Sequence, residues 1–266
     1  MEVNTKVNLS GLILDNPVIP ASGTYGFGKE YVDFYDINIL GSISIKGTTV
    51  QRRKGNPQPR IAECYSGLIN SVGLENPGME NVIQKELKDL EKIYRKPVIA
   101  NISGFSVEEY VTLAREMDKV DNVGIIEVNI SCPNVDHGGL AFGTNADNVR
   151  ELTKKIKEVT TKPVYMKLSP NVTDIKEIAR AAEEGGADGI SLINTLMGMR
   201  IDINRRRPVI ANKKGGFSGP AIFPVALRMV YEVYEATDLP IIGIGGISSA
   251  EDVIEMMMAG ATAVQI

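Results

Sequence analysis

The sequence predicts an α/β fold, a single (β/α)8 TIM barrel spanning residues 1–266 with a long insertion after its second strand. Three observations carry this reading. Eight short Val/Ile-rich runs recur along the chain, helical patterns with start signals lie between them, and one proline–strand–loop–helix–strand unit occurs twice. The two copies are PVYMKLSPNVTDIKEIARAAEEGGADGISLIN and PIIGIGGISSAEDVIEMMMAGATAVQI.

In chain order, Val3, Val7 and Leu9 around Ser10-Gly11 read as a hairpin ahead of the first core strand. Core strands are predicted at residues 17–21, 42–46, 97–102, 125–131, 163–168, 189–194, 240–245 and 262–266. Their unbroken apolar character suits parallel strands buried on both faces. Ser106 followed by Glu109 is a capping-box pattern, Ser248 followed by Glu251 repeats it, and Asn145 is suited to cap ADNVRELTKKIKEV. Met256, Met257 and Met258 read as core packing of the last helix. Two connections, 47–96 and 194–239, are long, and both follow the carboxyl end of a strand, the barrel face where active sites sit.

Composition narrows the function. The 266 residues are 43% hydrophobic with net charge −4, which argues against nucleic acid. Cys64 and Cys132 are too few for a disulfide framework, a four-thiolate zinc site or an iron–sulfur cluster, and His137 is the sole histidine. Residues 1–20 lack a signal-peptide core, and nothing approaches the roughly 18–20 apolar residues of a spanning helix. A soluble, cytoplasmic protein is expected.

Chemistry collects at the carboxyl ends of the strands: Lys46, Asn101, Asn129, Cys132, Lys167, Asn194-Thr195 and Gly245-Gly246, with Asn70 in the second connection. Two lysines, a thiol and several amides on one mouth suit a flat, polar, anionic ligand. NISCPN is the most specific stretch. Pro133 keeps Cys132 out of a helix, so the thiol reads as a loop base or nucleophile, with Gly138, Gly139 and Gly143 suited to a lid.

NISCPNVDHGGLAFGTN, Lys46-Gly47, NSVGLEN at 70–76, Lys167 and INT at 193–195 together resemble the dihydroorotate dehydrogenase family, and more closely its class 1B catalytic subunits. The resemblance implies FMN at the barrel mouth and oxidation of dihydroorotate to orotate in de novo pyrimidine (UMP) biosynthesis. Cys132 would be the general base; an unperturbed thiol pKa of about 8.5 leaves a usable thiolate fraction. Serine at that position and an N-terminal membrane extension would mark class 2. The flavin contacts implied are Ser22, Lys46, Gly47, Asn101, Asn129, Lys167, Ile193, Gly219, Gly245 and Gly246. The substrate contacts implied are Lys46, Asn70, Ser71, Val72, Gly73, Leu74, Asn129, Asn134, Asn194 and Thr195. Electrons would pass to NAD through a partner subunit carrying FAD and a [2Fe–2S] centre, in a heterotetramer built on a homodimer of this chain.

GIGGIS is a poor dinucleotide fingerprint, because Ser248 stands where the third glycine belongs. His137 reads as a loop or lid contact, Cys64 as a passive thiol, and the basic runs 52–54 and 205–207 as solvated faces. Alternatives are a fumarate-using class 1A enzyme or a dihydropyrimidine dehydrogenase-like domain. A Schiff-base aldolase using Lys46 or Lys167, or a non-catalytic scaffold, lies further off. The chain stops on its eighth strand, so a final helix and a family Gly-Thr pair on the flavin phosphate are expected to be missing, weakening FMN binding.

Overall fold

Runs such as VIANI and VYMK have no polar face, so they are stable only where both sides are covered. A computed structural model describes residues 3–131 and 142–266 and places them so. Seven parallel strands form one curled sheet in the order Val18–Ile19, Ala263–Gln265, Ile241–Ile244, Gly189–Leu192, Val164–Lys167, Val123–Asn129 and Val98–Ile102. Helices cover its outside, and Ile, Val and Leu of both layers form the main core.

The segment expected as the second strand, 42–46, is not a regular strand. It runs extended between the two sheet edges and bonds to both. Gly41 N donates to Val18 O at 2.9 Å and Ser44 N to Pro20 O at 3.3 Å, while on the other edge Ile45 N donates to Ile99 O at 3.0 Å and Ile99 N donates to Ile43 O at 2.9 Å. The neighbouring edge strand has two residues, too few for a full ladder. The eighth position is nonetheless filled, and the barrel closes.

The hairpin forms as expected from Val7–Leu9 and Leu12–Leu14, with Ser10 and Gly11 both at positive φ in its turn. It stoppers the amino-terminal end of the barrel. Leu9 and Leu14 pack there with Ile19, Ile99, Ile125 and Tyr165 in a second core cluster.

Helix starts follow side-chain oxygens. Ser106 accepts from Glu109 N, Asn145 from Asn148 N and Asp174 from Lys176 N. The last capping box sits one residue later than the sequence suggests. Ser249, not Ser248, is extended and accepts from Asp252 N at 3.1 Å, and the Asp252 carboxylate accepts from the amides of Ser248 and Ser249. Asp252 wins over Glu251 because its carboxylate collects both amides and the Ser248 hydroxyl. Ser249→Ala is expected to cost about 1 kcal/mol in urea unfolding, with an unchanged midpoint arguing against this cap. Of the three methionines on that helix Met256 is fully buried, but Met258 is 82% exposed and does not pack in the core.

The two long connections pair with each other. Strands Leu196–Met199, Lys214–Ser218, Gly67–Asn70 and Ile61–Cys64 form one antiparallel sheet in that order, beside the barrel mouth. The first connection also holds helical segments Met79–Asn81, Val82–Glu86 (a π turn) and Leu87–Ile93. Among the described residues, no helix is long and apolar enough to cross a membrane.

Candidate active site

Side chains leaving the carboxyl ends of the strands meet in a cavity of about 1050 Å³. The barrel supplies its floor, and the sheet shared by the two connections supplies one wall. Among the described lining residues Lys46, Arg53, Lys167, Lys213 and Lys214 are cationic, and no lining residue is a carboxylate. In a chain of net charge −4 this concentrates positive potential at one mouth, which draws an anionic ligand.

The floor is a polar cluster in an otherwise apolar interior. Glu127, on the Val123–Asn129 strand, has no exposure. Its carboxylate accepts from Asn101 Nδ2 at 2.6 Å, Gln265 Nε2 at 2.7 Å, Ser44 Oγ at 3.3 Å and Lys167 Nζ at 3.5 Å. Burial alone pushes the Glu127 carboxyl up; the Lys167 ammonium and the donated hydrogen bonds outweigh it and hold the group below the usual range. Lys167 Nζ also donates to Gln265 Oε1 at 3.3 Å. Asn101 spends its amide on Glu127, which leaves its buried Oδ1 without a partner among the described residues.

Lys46 stands at the end of the closing segment, half-buried, and its ammonium has no hydrogen-bond or ion-pair partner among the described residues. Burial pushes its pKa below the usual lysine range, with Glu75 only partly opposing this. A half-buried cation that the fold leaves unpaired is a ready partner for a ligand anion.

Amides ring the space above the floor. Asn194 Nδ2 donates to Asn129 Oδ1 at 3.0 Å, and Asn194 Oδ1 accepts from Thr195 N at 2.8 Å. Asn70 Nδ2 donates to Gly216 O at 3.4 Å, and Asn56 Nδ2 to Ser71 O at 2.9 Å. The hydroxyls of Ser71 and Ser131 are buried in the lining without partners among the described residues. Asn76 anchors the 70–76 turn, accepting from Thr49 N and Gly78 N and donating to Thr49 Oγ1 and Leu74 O. Close approach of the wall depends on Gly216, where a Cβ would lie 2.0 Å from Thr195 Oγ1.

A second glycine site closes the far end. Gly246 has φ +73°, and a Cβ there would lie 2.7 Å from Phe223 N and 2.9 Å from Gly219 O. The two glycine turns therefore press together at the start of the Phe223–Tyr234 helix.

The family model described as Dihydroorotate dehydrogenase matches residues 4–266. The chain belongs to the dihydroorotate dehydrogenase family. It is 58% identical over 261 residues to the "Dihydroorotate dehydrogenase B (NAD(+)), catalytic subunit" of Bacillus cytotoxicus, covering 98% of this chain and 84% of that protein. The proteins of the same name from Halalkalibacterium halodurans and Bacillus cereus are each 57% identical, again over 98% of this chain, covering 85% and 84% of those proteins. The resemblance drawn from NISCPN and its companions is thereby borne out.

In this dihydroorotate dehydrogenase family member the cavity lining gathers Ser22, Lys46, Gly47, Asn70, Ser71, Val72, Gly73, Leu74, Asn101, Asn129, Lys167, Ile193, Asn194, Thr195 and Gly245. Gly219 and Gly246 lie behind the lining, at the helix start. Cys132, Asn134 and His137, with Gly138 and Gly139, fall outside the described residues. Sequence reasoning missed Glu127, Gln265, Arg53 and Asn171. Glu127 had a signal: a carboxylate within the apolar run IIEVNI contradicts a strand buried on both faces unless it has partners.

Proposed function

We propose that this chain oxidises dihydroorotate to orotate, using FMN bound at the barrel mouth. The observation that carries this is the cavity floor, where the buried Lys167 and the Asn101 Oδ1, unpaired among the described residues, flank Glu127 beneath a ring of amides. That donor and acceptor set fits the edge of a flavin ring, and the turns at Gly219 and Gly246 are assigned to its phosphate. Bound FMN supplies the hydride acceptor.

Lys46 binds the substrate carboxylate. Asn70, Asn129, Asn134, Asn194 and Thr195 satisfy the pyrimidine edge, which presents both donors and acceptors. Backbone and side chains of 71–74 wall the same pocket, with Leu74 held at φ +56°. Cys132 takes the proton from C5 as hydride leaves C6, so a C5=C6 double bond forms. Lys167 presents an ammonium where negative charge grows, which favours the reduced state. The names of the relatives support NAD as final acceptor through a partner subunit. We assign FAD and a [2Fe–2S] centre to that partner, a heterotetramer on a homodimer core as the assembly, pyrimidine synthesis as the pathway and the cytoplasm as its place.

The test is spectroscopic. The purified chain with FMN should show a flavin band that bleaches anaerobically on adding dihydroorotate, and a band that persists would overturn the proposal. The bleaching rate of Cys132→Ala against the unsubstituted protein tests the base, an equal rate removing that assignment. Reduction of NAD should require the partner.

A further inference from the structure

Glu127 is the only fully buried carboxylate among the described residues, and its presence needs an explanation. An apolar residue of similar volume would avoid the desolvation of a charge, so stability alone does not account for it. Side chains from around the barrel converge on it: Ser44 from the closing segment, then Asn101, Lys167 and Gln265 by hydrogen bond, with Ser191 facing it. Of these only Lys167 carries a charge.

The contact lengths divide the cluster in two. Asn101 and Gln265 hold the carboxylate at 2.6 and 2.7 Å, so its position is fixed. Lys167 is held at 3.5 Å by Glu127 and at 3.3 Å by Gln265, both longer than the roughly 2.7–2.9 Å of a strong charge-assisted bond. The ammonium is therefore balanced in charge but not saturated in hydrogen bonds. Lys167 lines the cavity, so its remaining donor capacity is available there.

We propose that Glu127 is a positioning residue that keeps Lys167 charged and directed at the cavity, for a ligand that gains negative charge during the reaction. With flavin as that ligand, the inference rests on the function proposed above. Charge on Lys167 is the quantity at stake. Without the carboxylate a desolvated ammonium has a lowered pKa: it stays charged below that value and becomes neutral as pH rises through it.

Glu127→Gln keeps the side chain's shape and removes its charge. The full chain, stripped of flavin, is titrated with FMN by fluorescence quenching. The unsubstituted protein should bind equally well at about pH 6 and about pH 9, whereas Glu127→Gln should match it at the lower pH and bind about tenfold more weakly at the higher. Lys167→Met should bind weakly at both. Glu127→Asp, which retains the charge, should restore the flat profile. A Glu127→Gln profile parallel to that of the unsubstituted protein would mean a merely structural role and overturn the inference.

A flavin-free arm covers the case in which Glu127→Gln does not fold. In Lys167→Met the unpaired carboxyl should have a raised pKa, so its stability relative to the unsubstituted chain should fall as pH rises from about 5 to about 8. A pH-independent difference in thermal midpoint overturns the pairing. Since this arm needs no cofactor, an unsubstituted chain that binds no FMN would defeat the flavin reading without being mistaken for failure of the Glu127–Lys167 pair.

Discussion

Lys46→Met is expected to lower kcat/KM for dihydroorotate by about 10²–10³-fold, because losing a charged partner to a desolvated carboxylate costs about 3–4 kcal/mol. Methionine preserves the length and the apolar stem, so the loss isolates the ammonium. The effect should fall mainly on KM, since the contact exists as soon as the substrate docks. A pH signature accompanies it. Burial lowers the Lys46 pKa, so the charge is present at low pH and disappears at a lower pH than for an ordinary lysine. Log kcat/KM should therefore decline as pH rises through that depressed value, and this limb should vanish in Lys46→Met. Steady-state kinetics across pH decide it. An alkaline limb surviving unchanged in the variant, or a loss confined to kcat, would show that Lys46 does not hold the carboxylate.

The same lysine shows what was readable in the sequence. A barrel strand delivers its last residue to one rim, so Lys46, Asn101, Asn129 and Lys167 could be brought together from strand ends alone. Periodicity also located the strands that carry them. It failed where structure depends on distant partners. Segment 42–46 is short of ladder bonds because its neighbour, Val18–Ile19, is short, and no local pattern records that. The wall of the cavity joins Asn70 to Gly216, 146 residues apart, through glycines whose role is to leave space. Glu127 was overlooked for the opposite reason: its signal was local, but the apolar residues around it dominated the reading of the strand. Cap register slipped by one residue because SSAED offers two serine–carboxylate spacings, and the choice lies with Asp252's reach to two amides.

Gly189→Ala is expected to destabilise the protein by about 3 kcal/mol, the upper part of the range for overpacking a core. A Cβ at Gly189 would lie 2.2 Å from the ring of Tyr165, its register partner on the adjacent strand. That ring has nowhere to go. Tyr165 is fully buried, and its hydroxyl is tied to Ser10 Oγ at 2.9 Å in the hairpin turn, while Ser10 Oγ itself donates to Asp188 O at 2.6 Å. Displacing the ring would unseat the hairpin that closes the barrel floor. For a chain of this size the thermal midpoint should fall by about 6–12 °C. Tyr165→Ala alone should also destabilise, through a cavity of about 3–5 kcal/mol. The double variant should be no worse than Tyr165→Ala, because the ring that the new methyl strikes is gone. Additive losses would mean that the damage comes from the strand backbone and not from the ring. Ligand binding provides the internal control, since the cavity occupies the opposite end of the barrel: folded Gly189→Ala should keep its affinity for the flavin.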